Sequence, residues 1–503
     1  MAATKTPQTL VAWIAAVARA QASRPAIVSD GVEWSYAEFW DRALGIARHL
    51  LHDLRLQPGD RVALAGTNEP AYLAAYFGIL RAGCVVVPLN VMLDVAEIRA
   101  QLELVEAAGV VIGEVDDELR EGLAETLPTH ELAGLNGNGI GNGYLPKLGP
   151  ASPALILLTS GSTGRPKGVV HSHSTMLHAS LQMASALPYG PSDRNLAFLP
   201  FYTAIGEQVL PTLATGGSIR VLPRFDAERV ALAAADCTNF DAVPTVMSRL
   251  LDQAPLEHLA KLRWILFASE PMPVSLLERW WEALPNVQTH QFYGMTEVLP
   301  MTFASDRMLR EEPTTVGVNF PTSRVVAIDG SGAEIGDGSA GELICRTPAR
   351  MLGYHGDEES TAAAWAADGS MRTGDLGRVD EQGRVFLTGR LKDLIISGGL
   401  NIAPAEIEAV ACRHPGVSAA AVVGIPDQRW GETPVVVAVA AAGGNGFDAG
   451  ALLAHCREQL SSFKRPSAAA LIDSMPAIGI GKSDKGLIRK QILDGEIELV
   501  RAN

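Results

Sequence analysis

Strand and helix patterns alternate from about residue 60 to residue 300 of this 503-residue chain, and this alternation restricts the fold more than any other feature. The apolar strand pattern DRVALAG is followed by helical periodicity in EPAYLAAYFGILRAG and by the strand pattern CVVVPLN. A second series begins near residue 154 and includes SIRVLP and WILFASE. Strands that alternate with helices at this pace form parallel sheets covered by helices. The sequence therefore predicts an α/β protein.

The pattern changes twice in the last third of the chain. After residue 316, short strand patterns are separated by Gly and Asp turns, which predicts an antiparallel, barrel-like unit. After Lys392 a helix pattern with Pro404 in its first turn precedes two further strand patterns. We expect two domains, residues 1–391 and 392–503. The segment at 134–144 is interpreted as a flexible linker, since its glycines do not match the dinucleotide-loop pattern GxGxxG, the weaker alternative.

Charge, cysteine content and hydropathy exclude several classes of protein. The net charge of −15 disfavours a nucleic-acid partner. The five cysteines are scattered without a CxxC pair, which is typical of reduced thiols rather than of a disulfide framework or a zinc site. The apolar segment LVAWIAAVA near the N-terminus is too short to span a bilayer and predicts an amphipathic helix. We expect a cytoplasmic protein without a membrane span.

Four polar motifs stand apart from these patterns. They are TSGSTGRPKG (159–168), QFYGMTE (291–297), RTGDLG with GRLKD (372–377 and 389–393), and PAIGIGK (476–482). The first follows the apolar run ALIL, and Gly-rich loops after strands often bind phosphates through their backbone N–H groups. Pro166 before Lys167 excludes the Walker pattern. Taken singly, a motif of this kind is also compatible with a plain turn, a strand end or a solvated tail.

Together, in this order and spacing, the motifs resemble those of the acyl-adenylate-forming superfamily, which includes acid–CoA ligases, peptide-synthetase adenylation domains and beetle luciferases. The resemblance covers nearly the whole chain and is weakest in the first 50 residues and in 113–150. It implies a large N-terminal domain with two helix-flanked sheets and a distorted β-barrel, and a small mobile α+β C-terminal domain. It also implies that ATP and Mg²⁺ convert a carboxylic acid into an acyl-AMP, which a thiol then attacks.

The chemistry requires groups that neutralise and orient two anions, a carboxylate and a triphosphate. The resemblance implies that Thr296 contacts the α-phosphate, that Glu297 holds Mg²⁺, and that the mobile Lys482 bridges carboxylate and α-phosphate. Asp375 and Arg390 would bind the ribose, and Tyr293 would stack on adenine. The complete set of expected nucleotide-binding residues is Thr159, Ser160, Gly161, Ser162, Thr163, Gly164, Lys167, Ser269, Glu270, Pro271, Tyr293, Gly294, Thr296, Asp375 and Arg390. The alternatives are an exposed carboxylate for Glu297, an Asx turn for Asp375 and a tail lysine for Lys482.

One departure from the motifs of relatives bears on the substrate. Phe201–Tyr202 stands where amino-acid-activating relatives carry Phe-Asp, which disfavours an amino-acid substrate and favours an apolar, uncharged acid that is aromatic, cyclic or medium-chain. The candidate lining of the acyl pocket is Tyr202, Val243, Met247, Phe267 and Met301, although these are also ordinary core residues. His171 and His173 follow the first motif without a third metal ligand, so we expect them to shape the pocket floor or the exit of the loop.

The resemblance also implies how the two half-reactions share one site. Lys392 would be the hinge about which the small domain rotates, and Gly398 and Gly399 would then line the CoA channel. For the glycine pair, a plain turn is the alternative. No carrier domain follows Lys482, which favours free CoA as the acceptor. The leading hypothesis is an acid–CoA ligase; the alternatives are an enzyme that loads a separate carrier protein and a catalytically silent acyl- or nucleotide-binding protein.

Overall fold

The computed structural model describes residues 7–135, 144–159, 166–441, 447–478 and 482–502, so most of the predicted linker at 134–144 lies outside the described residues. Helices and strands alternate in the first part of the chain, as predicted. The elements up to Glu131 are α1 (Leu10–Ala20), β1 (Pro25–Ser29), β2 (Val32–Ser35), α2 (Tyr36–His52), β3 (Arg61–Ala65), α3 (Pro70–Ala82), β4 (Val85–Pro88), α4 (Val95–Leu104), β5 (Gly109–Ile112), α5 (Asp117–Thr126) and β6 (Thr129–Glu131).

Local sequence explains where these helices begin and end. Ser35 Oγ accepts a hydrogen bond from the Glu38 backbone N–H, and the Glu38 carboxylate accepts one from the Ser35 backbone N–H, which is the predicted capping box of α2. Asp94 and Glu97 repeat the arrangement at α4. α3 ends at Gly83, whose φ of 80° is the left-handed conformation that glycine adopts without strain.

The second series contains the elements that carry the first two motifs. They are β7 (Pro153–Thr159), β8 (Lys167–Ser172), α6 (His173–Ala186), β9 (Arg194–Ala197), α7 (Phe201–Ala204), a π-helical turn (Ile205–Val209), α8 (Leu210–Ala214), β10 (Ser218–Val221), α9 (Ala227–Ala234), β11 (Asn239–Ala242), α10 (Pro244–Gln253), α11 (Leu256–Leu259), β12 (Trp264–Phe267), α12 (Val274–Ala283), β13 (Gln288–Met295) and β14 (Val298–Ala304).

Short strands dominate the next segment, and a smaller α+β unit follows. The first group is α13 (Asp306–Glu311), β15 (Gly317–Asn319), β16 (Arg324–Ile328), β17 (Gly341–Arg346), β18 (Gly353–Tyr354), α14 (Glu358–Ala363), β19 (Met371–Val379) and β20 (Arg384–Arg390). The second group is β21 (Ile395–Ser397), β22 (Leu400–Ile402), α15 (Pro404–Ala411), β23 (Val417–Asp427), β24 (Gly431–Ala440), α16 (Ala449–Gln459), β25 (Ala468–Ile472), β26 (Ala477–Ile478), β27 (Lys482–Ser483), α17 (Lys485–Leu493) and β28 (Val500–Arg501).

Two large sheets form the N-terminal part. The first has the order β18-β8-β7-β4-β3-β5-β6 over the described residues. Its strands β7, β4, β3, β5 and β6 are parallel, whereas β8 returns antiparallel to β7. This return was not predicted: the loop motif joins two strands of a hairpin instead of leading from a strand into a helix.

The second sheet has the order β16-β17-β19-β20-β15-β14-β13-β12-β11-β9-β10-β1-β2. Strands β13, β12, β11, β9, β10 and β1 are parallel, and the strands from β14 to β16 are antiparallel. The predicted barrel-like unit is therefore continuous with this sheet and begins at Val298, earlier than residue 316, because the chain reverses directly after β13. The N-terminal strand β1 also joins this sheet, through its pairing with β10.

The C-terminal sheet has the order β22-β21-β24-β25-β28, with β23 paired along β24. Helices α15 and α16 pack on one side, where Ile407, Val436 and Leu452 are buried together, and α17 packs on the other through Ile488. The predicted fold class, a large N-terminal domain of several sheets and a smaller α+β C-terminal domain, is confirmed. All five cysteines are free thiols. Among the described helices, none is long and apolar enough to cross a membrane.

Candidate active site

The Gly-rich motif lies at the tip of the β7–β8 hairpin. Thr159, the last residue of β7, pairs with Lys167, the first residue of β8. The predicted phosphate-binding residues Ser160, Gly161, Ser162, Thr163 and Gly164 lie outside the described residues. The described strands fix both ends of this loop at the edge of the first sheet.

Lys167 contacts two residues from the segment around α14. Its Nζ donates a hydrogen bond to Ser360 Oγ at 2.7 Å and lies 4.7 Å from the centre of the Tyr354 ring. The cation–π contact and the hydrogen bond hold the ammonium group close to the loop motif. Tyr354 is in turn placed by β18, which pairs with β8 at Val169.

Tyr354 links Lys167 to Glu297. Its hydroxyl donates to Glu297 Oε1 at 2.7 Å, and burial together with the Glu297 carboxylate raises the pKa of the Tyr354 hydroxyl. The second oxygen, Oε2, accepts no hydrogen bond from the residues that the structure describes. A carboxylate held by one oxygen and open at the other is a suitable ligand for a hard divalent cation.

Thr296 and Glu297 occupy the tight turn between β13 and β14, where Met295 pairs with Val298. His171 of β8 donates a hydrogen bond from Nε2 to the Thr296 carbonyl oxygen at 2.8 Å. Burial lowers the pKa of His171 to about 4, so the ring is neutral near pH 7 and carries the donated proton on Nε2. One strand, β8, thus connects the loop motif with the turn of the second motif.

A second cluster unites the tyrosine of the second motif with the third motif. Asp375 of β19 is buried and lies opposite Arg390 of β20 in the strand register. Arg390 Nε forms an ion pair with Asp375 Oδ1 at 2.9 Å, and the Tyr293 hydroxyl donates a hydrogen bond to Asp375 Oδ2 at 2.6 Å. Burial and the Asp375 carboxylate raise the pKa of Tyr293. We call Tyr293, Asp375 and Arg390 the nucleotide cluster; its expected role in binding ribose and adenine stays a prediction.

The segment after β12 has an unusual backbone conformation. Ser269 has a φ of 74°, the left-handed region that favours glycine and costs other residues roughly 1–2 kcal/mol. A glycine would adopt this backbone conformation without strain, whereas the serine that stands at position 269 adopts it with strain. Glu270 accepts hydrogen bonds from Thr245 Oγ1, and burial raises the pKa of its carboxyl. Pro271 follows and is exposed.

Close packing favours glycine at position 294 of the second motif. A Cβ atom at this position would lie 2.8 Å from Leu299 Cδ2 and 3.2 Å from the Val298 carbonyl oxygen. A side chain at residue 294 would therefore displace Leu299 and crowd the Val298 carbonyl oxygen in the β13–β14 turn. This packing places Thr296 and Glu297 beside the nucleotide cluster at the end of β13.

The candidate acyl-pocket residues divide into three groups. Val243, Met247 and Phe267 are buried in one core cluster beneath α9, α10 and α12. Met301 is buried in a different cluster, with Tyr293 and Val298. Tyr202 is half-buried, and its hydroxyl lies 3.7 Å from Met92 Sδ. Four of the five therefore serve as core residues in this structure, and their contact with a substrate stays a prediction.

The residues expected to take part in domain movement lie at described positions of the backbone. Lys392 is exposed in the 3₁₀ turn Leu391–Asp393 between β20 and β21. Gly398 and Gly399 form the β21–β22 turn with φ values of 58° and 80°, a hairpin conformation that favours glycine at both positions. Lys482 pairs with Ile478 across β26 and β27, and its side chain lies outside the described residues.

Several polar residues near the site belong to none of the four motifs. Tyr354 and Ser360 contact Lys167, and the GY pair at 353–354 was the sequence signal for the first of these. Glu207 and Asp241 are acidic residues in the interior, on the π-helical turn and on β11. Their apolar sequence context gave no sign that either residue lies in the interior.

Comparisons with known proteins agree with this geometry. The family model of the AMP-binding enzymes matches residues 14–355, and that of the AMP-binding enzyme C-terminal domain matches residues 406–482. The chain belongs to the AMP-binding enzyme family. It falls in the acid–CoA ligase branch of the acyl-adenylate-forming superfamily, whose members are AMP-forming ligases that use ATP, Mg²⁺ and CoA.

Individual relatives match the chain over nearly its full length. A feruloyl-CoA synthase of an Amycolatopsis species is 34% identical over 496 residues, 96% of this chain and 99% of the relative. The fatty acid–acyl-carrier-protein ligase ScoC of Streptomyces coeruleorubidus is 31% identical and covers 97% of this chain and 96% of its own. The crystal structure of ATP-bound MatB from Rhodopseudomonas palustris has a TM-score of 0.89 at 30% identity, covering 97% of this chain and 99% of that chain.

Proposed function

We propose that this ligase activates a carboxylic acid with an apolar body, aromatic, cyclic or medium-chain, and transfers its acyl group to CoA. The observation that carries the proposal is the convergence of three separate motifs: β8 connects the loop hairpin to the Thr296–Glu297 turn, and Tyr293 connects β13 to Asp375 and Arg390. Convergence of loop, carboxylate and buried aspartate suits a nucleotide with its metal ion.

Each half-reaction then has a simple course. A carboxylate oxygen of the acid attacks the α-phosphorus of ATP. The bond between the α-phosphorus and the oxygen that bridges to the β-phosphate breaks, and pyrophosphate leaves. The CoA sulfur next attacks the acyl carbon, the bond to AMP breaks, and the thiol proton goes to solvent. Mg²⁺ neutralises phosphate charge when it is bound. In the proposal, Thr296 orients the α-phosphate, Glu297 supplies the metal ligand, and Arg390 and Asp375 position the ribose.

Lys482 and Lys392 are proposed to separate the two steps. Lys482 enters the site for acyl-AMP formation, and the domain after Lys392 rotates to admit the thiol past Gly398 and Gly399. Lys482→Ala should slow acyl-AMP formation but leave thioester formation from supplied acyl-AMP nearly normal. Lys392→Pro should have the opposite effect, because proline fixes φ in the hinge. Damage by both variants to the same half-reaction would exclude domain alternation here.

The decisive experiment is a panel of aliphatic, alicyclic and aromatic carboxylates assayed for acid-dependent pyrophosphate release from ATP. Release with at least one acid is expected, and its absence with every acid would favour a catalytically silent binding protein. Thioester formation is then compared with CoA and with a phosphopantetheinylated carrier protein, the acceptor class in the name of ScoC. If a thioester formed with the carrier protein but not with CoA, the carrier protein would be the acceptor.

A further inference from the structure

Segments from the carboxyl ends of strands in both large sheets contribute to the region of the candidate active site. In the first sheet, β3 and β4 are parallel to β7, whose carboxyl end carries the Gly-rich motif. In the second sheet, β9 is parallel to β11, β12 and β13, and β13 leads into the Thr296–Glu297 turn. Because ligands of open α/β sheets bind at the carboxyl ends of the strands, the segments that follow β3, β4 and β9 lie on the ligand-binding edges.

A buried asparagine joins two of these segments. Asn68 follows β3 and is 3% exposed. Its Nδ2 donates a hydrogen bond to the Leu199 carbonyl oxygen at 2.9 Å, and its Oδ1 accepts one from the Phe201 backbone N–H at 2.9 Å. Leu199 and Phe201 lie in the segment that follows β9. One side-chain amide therefore fixes a backbone segment of the second sheet to the first sheet.

Other contacts support the same segment, but only the asparagine amide forms both of these hydrogen bonds. The rings of Tyr72 on α3 and Phe201 have their centres 5.6 Å apart, and Gln208 Nε2 donates to the Leu199 carbonyl oxygen at 3.3 Å. The Phe201 N–H is bound by Asn68 Oδ1. An aspartate at position 68 would accept that bond but would have no donor for Leu199, and an alanine would form neither bond.

The segment held by Asn68 carries Tyr202. This residue directly follows Phe201 and is half-buried, and its hydroxyl donates a hydrogen bond to Met92 Sδ at 3.7 Å. Met92 follows β4 and is 76% exposed, so Tyr202 also reaches from the second sheet to the first. Strands β11 and β12 separate β9 from β13, which places Tyr202 to the side of the Thr296–Glu297 turn. This position suits contact with the body of a bound acid more than contact with phosphates.

We propose that Asn68 is a positioning residue that determines which carboxylic acids are accepted, because it fixes Tyr202 at the wall of the acyl pocket. The inference rests on the proposed function, in which Tyr202 contacts the acid. Asn68 acts only through the backbone of Leu199 and Phe201. Without its two hydrogen bonds, the segment is held less tightly, and the Tyr202 ring yields to a longer acid. Asn68 lies outside the four motifs, so this assignment adds a residue to the site.

The test measures how sharply the enzyme discriminates between acids of different length. One series starts from butanoate, one from phenylacetate with para-alkyl groups, and one from the best acid of the wider panel. In each series the acid is lengthened by two carbons until kcat/KM for pyrophosphate release falls. The selectivity ratio is kcat/KM of the best acid divided by that of the next longer acid. Ratios within one protein preparation do not depend on the fraction that is folded.

The wild type should show a clear selectivity ratio in at least one series, since one methylene in an apolar pocket changes kcat/KM by about 10- to 200-fold. Asn68→Ala should reduce this ratio by about fivefold or more, while the KM for ATP stays within about twofold of the wild-type value. A general disturbance of the fold would change the KM for ATP as well. Asn68→Asp, which keeps the size of the side chain, should reduce the ratio in the same direction and replaces Asn68→Ala if that variant does not fold.

A double substitution tests whether Asn68 acts through Tyr202. Tyr202→Ala should itself reduce the selectivity ratio, because it removes the ring from the wall. Adding Asn68→Ala to Tyr202→Ala should cause no further reduction, since residues that act as one unit have non-additive effects.

Asn195 provides the matched control. It lies on β9 and is fully buried, and its Nδ2 donates a hydrogen bond to Asn239 Oδ1 at 2.7 Å. Asn195→Ala therefore removes a buried asparagine and its hydrogen bond from the same part of the second sheet, but leaves the contacts of Leu199 and Phe201 in place. Its selectivity ratio should equal that of the wild type.

Four results would overturn the inference while pyrophosphate release left the proposed function intact. They are a wild type that does not discriminate by length in any series, an unchanged ratio in Asn68→Ala or Asn68→Asp, a further reduction by Asn68→Ala in the Tyr202→Ala background, and an equal reduction in Asn195→Ala. Absence of pyrophosphate release with every acid, including the wider panel of carboxylates, would instead remove the proposed function together with the inference.

Discussion

Acidification should weaken the contact that joins the strand after the Gly-rich loop motif to the turn of the second motif, and the size of the effect follows from the burial of His171. Its pKa falls from 6.5 to about 4 in the folded protein. The unfolded chain therefore binds one more proton between these values, and the stability associated with neutral His171 is fully present above pH 6.5. It is lost as the pH falls toward 4. A difference of this size corresponds to about 3 kcal/mol of unfolding free energy.

The variant that isolates this effect is His171→Gln, because a glutamine amide can also donate a hydrogen bond to the Thr296 carbonyl. Urea unfolding followed by tryptophan fluorescence should give a stability within about 1 kcal/mol of the wild type at pH 7.5. Between pH 7 and 4 the variant should lose about 3 kcal/mol less than the wild type. His173 and His290 have similarly low pKa values of about 4, but they contribute equally to both proteins.

The exposed His52 provides the control, since His52→Gln should leave the pH dependence unchanged. Activity gives an independent readout. His171→Ala removes the donor to Thr296 and should slow acyl-AMP formation by about tenfold or more, because small displacements of positioning groups are costly. Equal losses of stability in wild type and His171→Gln on acidification would refute the assignment of this proton to His171.

Three further substitutions test other contacts of the site. Tyr354→Phe keeps the ring beside Lys167 but removes the hydrogen-bond donor to Glu297. The Mg²⁺ concentration for half-maximal pyrophosphate release should therefore rise by about tenfold. An unchanged Mg²⁺ requirement would argue against Glu297 as a metal ligand. Tyr293→Phe leaves Asp375 Oδ2 without its hydrogen-bond donor, so the unfolding free energy measured in urea should fall by about 2 kcal/mol and the KM for ATP should rise. A normal KM for ATP would argue against a role of Tyr293 in nucleotide binding. Ser269→Gly relieves the left-handed strain and should raise the unfolding free energy by up to about 1 kcal/mol, and a clear decrease would contradict that strain.

The parts of the molecule that could be predicted are those in which neighbouring residues determine the outcome. The capping box of Ser35 and Glu38 begins α2, and Gly83 ends α3, as their sequence patterns indicate. The resemblance also selected Tyr293, Asp375 and Arg390 from distant motifs, and the structure brings these three into direct contact. Local sequence patterns were sufficient for the two helix ends, whereas the three motif residues were selected by the family resemblance and their role in nucleotide binding stays a prediction.

The contacts that were missed depend on strand order. His171 and Thr296 are separated by 125 positions and belong to different sheets, so nothing in either local sequence indicates their hydrogen bond. The bond exists because β8 turns back antiparallel beside β7 and reaches the β13–β14 turn. An HxH pattern was visible in the sequence, but its function depends on a neighbour that only the topology supplies.

The buried Asp241 and the half-buried Glu207 show the same dependence at the level of charge. Asp241 lies in a four-residue strand beside Phe240 and Ala242, and alternation alone does not tell which face of a doubly covered sheet a residue enters. Glu207 lies in a π-helical turn, which contains one residue more per turn than an α-helix. The α-helical period of 3.6 residues therefore does not predict which of its side chains face inward. The burial of these two carboxyl groups is therefore decided by tertiary structure, at positions outside every motif that identifies the reaction.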